Sequence, residues 1–380
     1  MDCKLTNVSF VLSIVSLNAF MAQKFYPLKV KAIQKTTSEC SLISFAIEEE
    51  HKAAFEFKQG QYLTLKAIIN GEEVRRSYSL CTSPLDNDWK VAVKKIEDGK
   101  FSTYANDILQ TGDTLEVMPP SGRFYVEVNP SQKKNYVAFA AGSGITPILS
   151  IIKTHLQKEP KSTFKLFYIN QAVSTIILKE ELEGLKNRYF DRFEIFHFLT
   201  QEERSVPLFN GRIDREKLIT IFKILVNKDL IDDYFLCGPN AMIFLIQDFL
   251  QALGVEKRQI HFELFNTNGL ANVKAKKKRK IDTRIQSEVH IIEGGKSIKF
   301  SIPRGSANIL DAALIKNADL PYACKGGVCC TCKAKLVEGE VEIIVNYGLE
   351  PEEIEAGYIL TCQSIPTSEK VVVDFDSSIG

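Results

Sequence analysis

Little in this 380-residue sequence suggests a secreted, membrane-embedded or nucleic-acid-binding protein. Nine cysteines are too thinly spread for a disulfide-stapled scaffold, which packs them into a much shorter chain. Structural zinc lacks its pattern as well: it uses two C-x2-C pairs or a Cys/His mixture, and here only Cys329 and Cys332 make such a pair. The dense basic run, Lys274 to Lys280, carries no interleaved aromatic residues on which bases could stack, so it reads as a solvated, self-repelling tether. Long apolar runs are missing too. The stretch from Val8 to Ala22 is short and serine-rich for a bilayer span, although Lys4 ahead of it and Ala19 to Ala22 at its end imitate a signal peptide. Two plainer readings compete with secretion: a loosely packed extension, or a chain that starts at Met21. A thiol-rich metal loop favours these, because it needs a reducing compartment, and a cytoplasmic location is expected.

What is present centres on Cys324-Lys325-Gly326-Gly327-Val328-Cys329-Cys330-Thr331-Cys332, answered thirty residues later by Cys362. C-x4-C-x2-C followed by a distant cysteine is the ligand spacing of a plant-type [2Fe–2S] cluster. Three thiolates share a tight loop, the fourth closes the cage, and two glycines let the backbone wrap close with its N–H groups turned to sulfur. Cys330 is spare, since its neighbours already satisfy the spacing. Zinc holding an inactive binding protein together is the reading from another functional class.

A chain of this length is expected to be multidomain. The net charge of +1 hides an asymmetry: Ser287–Gly380 holds 8 basic against 14 acidic residues, a net −6, leaving +7 for Met1–Gln286. Such a contrast suits docking of an acidic domain on a basic body or a partner. From Lys24 to about Glu127, short alternating segments separated by turns such as Asn70-Gly71 predict an antiparallel β-barrel with one short helix. Inside it, Arg76-Ser77-Tyr78-Ser79 offers a guanidinium fork for phosphate, an aromatic face and small hydroxyls, though the same string also reads as a plain amphipathic strand. Its company favours the first reading. Val93-Lys94 ends a strand, and Gly99-Lys100-Phe101-Ser102 opens a helix whose free N–H groups suit phosphate.

Asn135 starts an apolar segment that runs into Gly142-Ser143-Gly144-Ile145-Thr146-Pro147. A strand, a glycine turn and a helix start make a place for a dinucleotide pyrophosphate, yet the full G-x-G-x-x-G is missing and a plain βα turn competes. Alternating strand and helix patterns to about Leu253 predict a doubly wound α/β parallel sheet. At a strand end, Cys237-Gly238-Pro239 either borders a nicotinamide or is a buried cysteine turn. The C-terminal pattern predicts an α+β β-grasp domain. The divisions expected are an extension over 1–23, a barrel over 24–128, a nucleotide domain over 129–265, a basic linker over 266–286 and a cluster domain over 287–380.

These motifs, in this order, resemble the ferredoxin-NADP reductase-like oxidoreductases with a fused C-terminal plant-type ferredoxin. Gly211-Arg212-Ile213-Asp214, the run from His261 to Thr267, the cluster loop from Asp319 and Asn346-Tyr347-Gly348-Leu349-Glu350-Pro351 are similar to the reductase subunits of bacterial phenylacetyl-CoA epoxidases, in phenylacetate catabolism. The resemblance implies FAD rather than FMN in the barrel. It implies hydride transfer from NAD(P)H, with Tyr78 and Ser79 placing the flavin and Thr146 and Cys237 bordering the nicotinamide. Proton handling falls to Glu263, cluster ligation to Cys324, Cys329, Cys332 and Cys362, and an oxygenase or hydroxylase subunit accepts the electrons. Another di-iron hydroxylase, a desaturase or a Rieske dioxygenase as acceptor would leave the same motifs. Relatives usually show Gly-Asn-Arg after the second nucleotide-domain strand, where this chain has Ile169-Asn170-Gln171. The arginine suited to a 2′-phosphate is gone, so weak discrimination between NADH and NADPH is expected.

Overall fold

In β1 (Tyr26–Thr37) the first residues alternate, with Tyr26, Leu28 and Val30 turned inward and Pro27, Lys29 and Lys31 outward. This period of two puts one face of a strand on a core. With β2 (Cys40–Ala46), β3 (Tyr62–Ile69), β4 (Glu72–Ser79), β5 (Trp89–Lys94) and β6 (Thr114–Ser121) it forms an antiparallel sheet in the order β4-β3-β6-β1-β2-β5. A bridge between Leu80, just past β4, and Val91 on β5 joins the two ends of this sheet, as a barrel requires. Helix α1 (Lys100–Asp107) buries Phe101 and Ala105 in the core it encloses. Trp89 seats a short 3-10 segment (Glu49–Phe55) there by donating its indole N–H to the Phe55 carbonyl at 2.7 Å. The structure, a computed structural model, describes residues 24–265 and 284–378. The N-terminal extension, most of the basic linker, Asn266 and Thr267 lie outside the described residues.

The second sheet is wholly parallel. It comprises β7 (Asn135–Ala141), β8 (Thr163–Asn170), β9 (Phe193–Leu199), β10 (Asp233–Gly238) and β11 (Ile260–Leu264) in the order β11-β10-β7-β8-β9. The order reverses between β7 and β10, which is where open α/β sheets bind ligands. Both faces are covered. Tyr136, Ala138 and Ala140 share a core with α2 (Ile145–Lys158) and α3 (Lys179–Arg188), while Phe222 of α4 (Arg215–Ile224) stacks on Tyr234 and meets Phe249 of α5 (Asn240–Ala252) on the opposite side. Barrel and parallel sheet belong to one compact unit, Tyr26–Val74 with Tyr78–Phe265.

The other unit is built around the C-terminal stretch. Strands β12 (Gln286–Glu293), β13 (Lys296–Pro303), β14 (Lys333–Glu338), β16 (Tyr358–Leu360) and β18 (Lys370–Asp374) form a mixed sheet in the order β13-β12-β18-β14-β16. The small pair β15 (Val341–Ile343) and β17 (Ser364–Pro366) lies outside it. Only β12 and β18 run parallel, and α6 (Ile309–Ile315) buries Ile309, Leu310 and Ala313 in this core. A short acidic helix, α7 (Pro351–Glu355), precedes β16. This is the β-grasp plan read from the sequence, with β12 beginning at Gln286, the last residue assigned above to the linker. Among the described residues no helix is long and apolar enough to cross a membrane.

Candidate functional site

The Arg76–Ser79 motif ends β4, with Arg76 exposed, Ser77 and Tyr78 half-buried and Ser79 buried. The Tyr78 ring lies 5.5 Å from that of Phe101. At the start of α1 the Ser102 hydroxyl donates to the Gly99 carbonyl at 3.1 Å and accepts the Ile96 N–H at 3.2 Å. It therefore shapes the turn rather than pointing outward. A Cβ on Gly99 would come within 2.3 Å of that hydroxyl, so the close turn requires glycine. No side chain caps this helix, which leaves its first N–H groups for an anion. Lys100 is ion-paired with Glu72, and Asn106 holds α1 on β5 by donating its side-chain amide to the Val93 carbonyl at 2.9 Å.

Gly142–Gly144 forms one 3-10 turn between β7 and α2, and here too no side chain caps the helix. Gly142 has φ +52°, and the Tyr168 hydroxyl donates to its carbonyl at 3.0 Å from below. Thr146 is buried and donates to the Ser143 carbonyl at 3.0 Å, while Pro147 is buried beside it. A Cβ on Gly144 would stand 2.2 Å from the Cys237 carbonyl oxygen, so the turn lies directly against the end of β10. The Lys94 ammonium lies 3.9 Å from where Gly142 would carry a Cβ, which brings barrel strand β5 to this glycine turn. Gly238 has φ +155°, and Pro239 leads into α5. At the end of β8 Asn170 is buried, and Gln171 just past it is exposed. The Glu202 carboxylate reaches the following turn and accepts the Val173 N–H at 3.0 Å. Sequence reasoning missed Glu202, which lies 29 residues from Val173.

The two sheets meet at Ser79, whose hydroxyl donates to the Glu263 carboxyl at 3.0 Å. Glu263 on β11 is the register partner of Cys237 on β10. Burial pushes the Glu263 carboxyl up to about 8, a shift that the Ser79 hydrogen bond only partly offsets. Burial also pushes the Cys237 thiol well up, and the charge of Glu263 adds to this. Near neutrality, then, the junction holds a protonated carboxyl beside a neutral thiol. Ser79, Cys237 and Glu263 thus come together where β4, β10 and β11 end.

In the cluster loop the side chain of Cys324 interacts with that of Cys329, and the side chain of Cys332 with that of Cys362. The split is two and two, rather than three with a distant fourth, and this suits a binuclear centre with one thiolate pair for each iron. The Gly326 N–H donates to the Cys324 sulfur at 3.2 Å, the backbone cradle expected of this loop. Lys325 and Cys330 take positive φ values of 50° and 54°. The Cys330 sulfur turns to the 346–349 segment, where a Cβ on Gly348 would come within 2.4 Å of it. Among the described residues the loop thus offers thiols and a backbone N–H, groups that fit an iron–sulfur centre.

Three domain models cover the chain in the order read from the sequence. An oxidoreductase FAD-binding domain matches residues 27–125, an oxidoreductase NAD-binding domain 139–248, and a 2Fe-2S iron-sulfur cluster binding domain 291–367. These define an iron–sulfur flavoprotein oxidoreductase rather than a zinc-stabilised binding protein. The chain is 43% identical to a subunit of the 1,2-phenylacetyl-CoA epoxidase of Escherichia coli (strain K12), over 93% of this chain and 98% of the relative. It is 32% identical to the ferredoxin reductase component of 3-ketosteroid-9-alpha-monooxygenase of Rhodococcus rhodochrous, over 92% and 96%. In fold it is similar to phthalate dioxygenase reductase, with a TM-score of 0.57 and 24% identity over 92% of this chain and 98% of that one. The chain belongs to the family of single-chain reductases that unite these FAD, NAD and 2Fe-2S domains, the family of its 43%-identical relative.

Proposed function

We propose that this protein passes electrons from NAD(P)H through FAD and a [2Fe–2S] cluster to an oxygenase subunit of the phenylacetyl-CoA epoxidase type, within phenylacetate catabolism. The observation that carries the choice of acceptor is the 43% identity to the Escherichia coli epoxidase component over 98% of that relative. FAD supplies what neither end has, since it accepts two electrons as hydride and releases them one at a time.

In this reading the segments 24–128, 129–265 and 287–380 serve flavin, nucleotide and cluster in turn, and the reduced thiols fit a cytoplasmic location. Arg76 and the N–H groups from Gly99 to Ser102 hold phosphate, with Ser77, Val93 and Lys94 alongside. Tyr78 stacks on the flavin ring and Ser79 bonds its edge. Gly142, Ser143, Gly144, Thr146 and Pro147 seat the nucleotide pyrophosphate at the start of α2, and Asn170 and Gln171 meet the ribose. Cys237, Gly238 and Pro239 border the nicotinamide. Glu263 holds a proton at its carboxyl beside Ser79, which its position among buried groups supports. Cys324 with Cys329, and Cys332 with Cys362, ligate the cluster.

Reconstitution with candidate oxygenase subunits tests the acceptor. NAD(P)H-dependent epoxidation of phenylacetyl-CoA is expected only when this protein is present. Ferricyanide reduction without that epoxidation, together with turnover of a 3-ketosteroid-9-alpha-monooxygenase oxygenase, would move the acceptor to the one that the 32%-identical relative favours.

A further inference from the structure

Helix α2 leaves the nucleotide turn and buries eleven of its fourteen residues, so it is enclosed on nearly every side. Ser150, Lys153 and Thr154 are spaced to share one face, and that face grips the barrel. The Ser150 hydroxyl donates to the Thr82 carbonyl at 2.5 Å and accepts the Gly60 N–H at 3.3 Å. Thr154 donates to the Ser150 carbonyl at 2.7 Å, which leaves the Ser83 hydroxyl, 2.9 Å from Thr154 Oγ1, to donate to it. Lys153 joins Asp86 of the barrel at 2.5 Å and Glu181 of α3 at 2.7 Å. Ser83 and Ser150 are 0% exposed, Thr154 3% and Thr82 4%, so water does not compete for these bonds. Around them the barrel's Cys40, Cys81 and Ala92 share an apolar core with Ile148, Ile151 and Ile152 of α2.

Apolar packing alone lets two surfaces slide, whereas buried hydroxyls fix direction and register. Thr82 lies three residues beyond Ser79, and Ser150 lies four residues beyond Thr146. We infer that Ser150, Lys153 and Thr154 are positioning residues for hydride transfer: they lock the end of the flavin strand to the start of the nucleotide helix, so the reaction needs no closure of one domain on the other. This rests on the flavin and nucleotide sites proposed above. In the step itself a hydride, two electrons with one proton, would leave C4 of a bound dihydronicotinamide and arrive at N5 of a bound flavin. The products are NAD(P)+ and reduced flavin, and no further reactant is required.

The test is anaerobic stopped-flow bleaching of FAD by saturating NAD(P)H in the full-length holoprotein. Displacing reacting groups by about 1 Å can cost about a hundredfold, so Ser150→Ala and Thr154→Val are each expected to slow bleaching by about tenfold or more. FAD occupancy, the nucleotide KM and the electron paramagnetic resonance of the reduced cluster should stay at parental values, and Ser150→Thr and Thr154→Ser should restore most of the rate. Should Ser150→Ala fail to retain flavin, Lys153→Met on the same face is expected to show the same slowing. Bleaching at the parental rate in flavin-replete variants overturns the inference alone. A parent protein that NAD(P)H does not bleach overturns the functional reading and the inference with it.

Discussion

The cluster domain and the flavin–nucleotide unit assemble their chemistry in different ways. Three of the four candidate cluster thiols lie within nine residues, on a loop whose own N–H groups face sulfur. At the flavin–nucleotide junction Ser79 and Glu263 are 184 residues apart and meet only because β4 and β11 arrive at the same place. A local site depends on its loop. A distributed site depends on the register of two sheets and on the helix that ties them, so a single methyl placed at their contact should be felt throughout.

The largest effect isolates the local site. Cys324→Ser or Cys362→Ser is expected to abolish the [2Fe–2S] signal in electron paramagnetic resonance and to end cytochrome c reduction. FAD content and ferricyanide reduction should persist, and Cys330→Ala should leave the signal intact. Loss of flavin in the ligand variants would mean that the two sites are not separable.

Gly144→Ala probes the distributed site. Its new Cβ would meet the Cys237 carbonyl oxygen at 2.2 Å, and a backbone atom cannot swing away as a side-chain end could. NAD(P)H-dependent ferricyanide reduction is expected to fall by about a hundredfold with FAD retained. Parental activity would show that the close turn tolerates a methyl.

Glu263→Gln should change a pH dependence. Glu263 ionises near the ordinary 4.5 when unfolded and near about 8 when folded, so the folded state holds an extra proton between those values. Stability of the flavin-free protein therefore falls as pH rises through that window and levels off above it. Thermal midpoints followed by circular dichroism from about pH 5 to about pH 9 should show this slope in the parent and a flatter one in the variant.

The smallest effect concerns nucleotide choice. Asn170 and Gln171 bring no charge, while Glu202 places a carboxylate at the same turn. NADH is therefore expected to be favoured, with the two kcat/KM values within about a hundredfold, and Glu202→Gln should narrow the gap by a few-fold. Steady-state ferricyanide assays with both nucleotides measure it.

The same contrast governs what could be read without coordinates. The cluster loop announces itself because its ligands are spaced along the chain, and β1 because its first residues alternate between core and solvent. β11, five residues long, was legible as a motif but not as a strand, and β15, β16 and β17 are three residues each, too short for alternation to register. The pairing of Cys332 with Cys362 depends on how the loop folds back. Ser150 and Thr154 look like ordinary polar positions on a helix until the barrel is seen to cover them. Glu263 was placed by family resemblance, and only the structure supplies the buried surroundings that keep its proton on.

Trp89, whose indole N–H is fastened to Phe55 inside the barrel, is the chain's single tryptophan. Intrinsic emission excited at the red edge thus comes from one lamp, mounted in the flavin-binding barrel and nowhere else. Its intensity will be quenched by energy transfer when a yellow cofactor sits nearby and will brighten as that cofactor departs. Visible colour from iron and sulfur would report the other unit, so one denaturation experiment read in two channels can follow the two halves of the electron route coming apart separately.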